Sequence, residues 1–95
     1  MVVGVGTVDL FIPEAHSLKE KRSVVRRVIQ RVRNEFDISV AEVDSLDLHQ
    51  KATIGFAVVS NDGRLANSIL DRVVDFIERL YLAQITRADL DLLHV

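Results

Sequence analysis

Val8, Leu10 and Ile12 alternate with Thr7, Asp9 and Phe11, the period-two pattern of a strand, within a valine-rich stretch from Met1 to Ile12 that carries Gly4 and Gly6. Pro13 ends it, because proline cannot donate into a ladder. Ser17-Leu18-Lys19-Glu20 then reads as a capping box, with the Ser17 hydroxyl accepting from the Glu20 amide and the Glu20 side chain reaching back. From there Leu18, Val25, Val28, Ile29, Val32 and Phe36 share one arc at roughly 100° per residue, which predicts a helix to about Phe36. Ile38 to Asp44 alternates again, with Ala41 and Val43 opposite Val40, Glu42 and Asp44. Ser45 to Gln50 is polar enough for a hairpin loop, and Lys51 to Ser60 forms a third strand. Ser60-Asn61-Asp62-Gly63 is turn and cap chemistry ahead of a second helix, whose broad apolar face runs from Leu65 to Leu80. From about Ala83 the period returns to two, with Leu90 and Leu92 between Asp89, Asp91 and Leu93.

The order strand, helix, strand, strand, helix, strand predicts an α+β, ferredoxin-like βαββαβ sandwich: a four-stranded antiparallel sheet with two helices on one face. No linker, repeat or low-complexity segment divides the chain, so residues 1–95 are read as one domain. This topology brings Glu14 to Arg22 and Asp44 to Lys51 to the same end of the molecule.

Composition narrows the chemistry. Hydrophobic residues are 48% and charged residues 27%, values of a folded globular chain. With no cysteine there is no disulfide framework, thiol nucleophile, iron–sulfur ligation or thiolate zinc site. The apolar start lacks a basic segment, since the first Lys or Arg is Lys19, and no apolar run reaches the roughly 20 residues of a spanning helix. A cytoplasmic protein without membrane association is the expectation.

The net charge of −2 is unevenly spread: residues 19–35 carry +5 and the remainder −7. On a helical wheel Lys19, Arg22, Arg26 and Arg33 share a sector beside the apolar arc, with Arg27 and Arg31 on the other flank. Two readings compete. A cationic stripe of this kind binds phosphates, RNA foremost; alternatively it is a solvated face whose arginines pair with the acidic remainder. Cations in a first helical turn oppose the macrodipole, which argues for a ligand there. Lys21 projects toward the apolar arc and, with Lys19 and the free amides near Leu18, is expected to converge on one phosphate or carboxylate.

The hairpin adds Asp47, His49 and Gln50, with His16 in the facing loop. Their spacing is not diagnostic of a metal, and no nucleophile, oxyanion motif or cofactor fingerprint accompanies them, so neither metal, cofactor nor catalytic residue is assigned. An RNA-recognition motif would need aromatics on both central strands, for which Phe11 and Phe56 are insufficient. Acylphosphatase-type chemistry would need a glycine-rich, arginine-bearing loop where this chain has PEAHS. The third strand is apolar on both sides, with Ala52, Ile54, Phe56 and Val58 on one and Thr53, Gly55, Ala57 and Val59 on the other. Two helices cover only one side, which points to a homodimer or higher homo-oligomer.

SLKEKR (Ser17 to Arg22), FDISVAEVD (Phe36 to Asp44), and HQKA followed by VVSND (His49 to Asp62) resemble the YlxP-like family of small bacterial proteins. The resemblance implies a ferredoxin-like fold, a bacterial cytoplasmic protein, and a connection to RNA or the ribosome, since members are often encoded among translation and ribosome-maturation genes. Its motifs fall on Lys19, Lys21, Arg22, Glu42, Asp44 and Gln50; His49 stands where many relatives have tryptophan. The resulting expectation is a non-enzymatic factor in which Lys19, Lys21, Arg22, Arg26 and Arg33 contact RNA phosphates and Asp47, His49 and Gln50 assist from the hairpin. The alternative is a homo-oligomeric interaction or regulatory module that binds a protein partner or a small anion.

Overall fold

The computed structural model describes all residues from Met1 to Val95. Its elements follow the expected order: β1 (Val2–Phe11), α1 (Leu18–Glu35), β2 (Ser39–Asp44), β3 (Lys51–Ser60), α2 (Gly63–Arg79) and β4 (Gln84–His94). The strands form one antiparallel sheet in the order β2-β3-β1-β4, so that β2 and β4 are its edges.

Strand alternation decides which side is covered. Val8 and Leu10 of β1, Ala52, Ile54, Phe56 and Val58 of β3, and Val40 of β2 are buried. Their helical partners are Val25, Val28 and Val32 of α1 and Ala66, Leu70, Val73 and Ile77 of α2. Large apolar side chains such as these leucines, isoleucines and valines each contribute about 1.5–3 kcal/mol when fully removed from water. Leu65 departs from the expected apolar face of α2 and is exposed. The helices are not symmetrically placed: α2 lies over β1, β3 and β4, whereas α1 leans on the edge strand β2. An edge-to-face contact between Phe36 and Phe76, ring centroids 5.5 Å apart, joins the end of α1 to α2.

The caps are the ones the sequence predicts, with one shift. The Ser17 hydroxyl accepts from the Glu20 amide at 3.1 Å, but the Glu20 carboxylate reaches back to the His16 amide rather than to that of Ser17. Asp62 caps α2 through the Arg64 amide at 2.9 Å. Register shifts occur at Asp9/Leu10 on the β1–β4 side and at Glu42/Asp44 on the β2–β3 side. The second brings Asp44 level with Thr53 and takes it out of simple alternation with Val40 and Glu42.

Gly6 is required by close approach. A Cβ there would lie 2.5 Å from Phe56 Cε2 and 2.8 Å from Leu90 Cδ2, so the phenyl ring occupies the space a side chain would need. Gly6→Ala is expected to destabilise the fold by about 1–3 kcal/mol through overpacking. Gly4→Ala should cost less, because its nearest neighbours would be flexible side-chain ends at 3.1 Å. Urea denaturation midpoints of the two variants check the ranking.

Candidate phosphate-binding face

The basic residues of α1 do not act as one stripe; the packing of the helix on β2 sorts them into three environments. Lys21 is the first. It is fully buried, and its Nζ donates to Glu42 Oε2 at 2.8 Å and to the carbonyls of Ser45 at 2.9 Å, Leu46 at 3.2 Å and Lys51 at 3.3 Å. Three ammonium protons facing four acceptors leave none for an external ligand. The expectation that Lys21 contacts phosphate is therefore corrected, as is the anion site it was to share with Lys19. The carboxylate it holds belongs to its own chain, and its role is to fix the β2–β3 hairpin against α1.

Arg22, Arg26 and Arg33 form the second environment. With Val25, Ile29, Gln30, Ala41 and Glu42 they line a groove of about 340 Å³ between α1 and β2. All three arginines are exposed. Arg33 Nη2 donates to the Val40 carbonyl at 3.0 Å, which holds its guanidinium over β2. Neither of the two ion pairs in the structure, Lys21–Glu42 and Arg87–Asp89, involves them. Glu42 also borders the groove, but its charge is already matched by Lys21. The three guanidinium groups are left without an intramolecular counter-charge.

Lys19 belongs to the third environment. It lies in a separate hollow on the other side of the helix start, with Arg27, Ser17, Ser23 and the carboxylates of Glu14 and Glu20 among its neighbours. The shared sector of the helical wheel did not bring Lys19 together with Arg22, because β2 takes up only one flank of α1.

The hairpin residues Asp47, His49 and Gln50 are exposed. Gln50 is partly committed, its Nε2 donating to the Pro13 carbonyl at 3.0 Å, while the Ile12 amide donates to the Gln50 carbonyl at 2.8 Å. These bonds pin the hairpin to the loop before α1. His49 and His16 meet across an open hollow of about 480 Å³, whose wall includes Phe11, Leu48 and Lys51. Asp47 stands outside it. No group of three or more His, Cys, Asp or Glu side chains is placed to share a metal ion.

The residue that sequence reasoning passed over is Glu42 as the receiver of Lys21. The signal was available: Glu42 falls on the same strand phase as the buried Val40, and an inward acid opposite an inward lysine reads as a buried pair.

Residues 3–90 match the family described as Protein of unknown function (DUF503). The chain belongs to that family. It is 36% identical over 77 residues to Uncharacterized protein YlxP of Bacillus subtilis (strain 168), covering 81% of this chain and 84% of that one. In fold the DUF503 chain is similar to an antibiotic biosynthesis monooxygenase crystal structure, with TM-score 0.52 and 18% identity over 100% of this chain and 98% of the other. It is equally similar to a de novo designed protein with ferredoxin fold, with TM-score 0.53 and 17% identity over 98% and 83% of the two chains. At such identities these likenesses establish the ferredoxin-like architecture alone. No helix is long and apolar enough to cross a membrane.

Lys21→Met should unfold the protein far more readily than Lys19→Met. Breaking a buried pair from one side costs about 3–5 kcal/mol, here with three carbonyls also deprived of a donor. An exposed change such as Lys19→Met stays within about 0.5 kcal/mol. Chemical denaturation of both variants checks the difference, and equal stabilities would remove Lys21 from its structural role.

Proposed function

We propose that this protein is a non-enzymatic RNA-binding factor that seats a phosphate backbone in the groove between α1 and β2. The observation that carries the reading is the set of three exposed guanidinium groups, Arg22, Arg26 and Arg33, on one groove without carboxylate partners. Arginine suits phosphate because its planar fork donates two parallel hydrogen bonds. Spacing favours a polymer over a small anion. Arg22 to Arg26 is about 6 Å along the helix axis and Arg26 to Arg33 about 10 Å, which lays the charges out as a line rather than a point. Lys19, in its own hollow with Arg27, adds long-range attraction more than a shared contact.

At the hairpin end, the exposed His49 and Asp47 are available to bases, and the hollow there is lined by three ring-bearing side chains, Phe11, His16 and His49, the residue types on which an unstacked base can lie. The resemblance to proteins encoded among translation genes supports RNA as the polymer and ribosome assembly or translation as the setting. The uncovered sheet face supports the second reading, a module that works as a pair of identical chains.

Arg22→Ala combined with Arg26→Ala should weaken binding to single-stranded RNA. The slope of log affinity against log salt should also fall by about 0.7 for each phosphate that the variant no longer neutralises. Titration by fluorescence anisotropy at several salt concentrations measures both quantities. Unchanged affinity and slope would overturn the proposal.

A further inference from the structure

The sheet face turned away from the helices carries apolar side chains that no element of the chain covers. Val59 is 66% exposed, Val43 52% and Leu93 45%. The register sets which residues are level across the strands. At one end Val59, Val3 and Leu93 make an apolar row, followed by a row with Ala57 and Val5 at its centre and Ser39 and Asp91 at its two edges. Toward the hairpin the rows turn polar: Asp44, Thr53, Asp9 and Arg87 are level, in the strand order β2, β3, β1, β4.

We infer that this face is an interface closed by a second copy of the chain, sheet against sheet, with the two-fold axis running parallel to the strands between the two sheets. Such an axis keeps every row at its own level and reverses the strand order. Apolar rows therefore meet apolar rows, with β1 over the β3 of the other copy. In the polar row the same reversal sets Arg87, whose Nε already pairs with Asp89 of its own chain at 2.7 Å, opposite Asp44 of the partner subunit, twice by symmetry, so that its guanidinium would bridge the two acids. Asp9, which accepts from Thr53 of its own chain at 2.7 Å, comes opposite Thr53 of the partner subunit. Asp91 comes to face Ser39 of the partner subunit, a hydroxyl donor rather than another acid. An axis across the strands would instead lay β4 on β4, bring Arg87 toward Asp91 of the partner subunit and leave Asp44 without a cation, so the Asp44 pairing is what distinguishes the two axes. The face is self-complementary at these positions, as an isologous interface must be.

Its size also fits. Three strands of ten or eleven residues and one of six, at about 3.3 Å per residue and about 4.8 Å apart, span a plane of roughly 600 Å² before side-chain relief is counted. A standard interface buries about 800 Å² per partner. The basic groove lies on the helical side, so pairing leaves both copies of it on the outer layers and makes the dimer bivalent for a polyanion. This inference stands apart from the RNA reading, since none of its residues belongs to the groove.

Sedimentation of the full chain over a wide concentration range tests it. The expected result is a concentration-dependent rise from 10.7 kDa to twice that mass. Val59→Asp, at a position exposed enough to keep the fold, should raise the dimer dissociation constant about tenfold or more, with circular dichroism unchanged. Arg87→Asp should weaken association, and adding Asp44→Arg should restore it. A single-chain mass at every concentration, or a Val59→Asp dimer as tight as the parent, would overturn the interface; failure of the charge-swapped pair to recover would overturn the axis.

Discussion

The ammonium group of Lys21 ties together three parts of the chain that have little else in common. It sits in α1, its carboxylate partner is in β2, and its carbonyl acceptors belong to the hairpin after β2 and the first residue of β3. A short edge strand and a polar hairpin bury little apolar surface of their own, so their position against the helix needs a directional contact. A buried lysine supplies one because its charge is tolerable only when Glu42 and the carbonyls are all in place. The alternative, an unpaired buried ammonium, carries the full desolvation cost of its charge.

The same contact shapes the electrostatics of the groove. Glu42 borders the arginines and, left free, would neutralise one of them. Engaged by Lys21, it contributes no net charge, and Arg22, Arg26 and Arg33 face outward uncompensated. Arg33 adds a second tie through the Val40 carbonyl, so that a residue of the cationic surface also helps hold β2 in place. Charge at the surface and order in the core are thus set by neighbouring residues of one helix.

Most of the fold was readable from period alone, because alternation fixes which side of each strand meets the helices and the caps at Ser17 and Asp62 start the helices where they are found. The helical wheel turns Lys21 inward without naming its acceptors. Its azimuth is a property of one helix; of its partners Glu42 carries a strand-phase signal, whereas the three backbone carbonyls some 24 to 30 residues later have no side-chain signature. Lys19 failed for a different reason. A helical wheel places it in the sector of Arg22, but whether one sector becomes one surface depends on what packs beside it, and β2 lies along a single flank. The Asp44 register shift was likewise invisible, since a bulge adds a residue without changing the hydrophobic pattern on either side.

The unequal coverage by the two helices gives the molecule two unlike surfaces. Because α2 lies over three strands, α1 is left to the edge, and there a helix can present cations beside a strand without burying them. The opposite sheet face is apolar where Val59, Val3 and Leu93 are level and charged toward the hairpin, where acids outnumber the single Arg87. Residues outside the segment 19–35 carry −7 in total, so the positive charge of the chain is concentrated on α1. A uniformly basic chain of this size would bind a polyanion in many orientations. On the proposed reading, the acidic remainder would favour one orientation, with α1 turned toward the polymer.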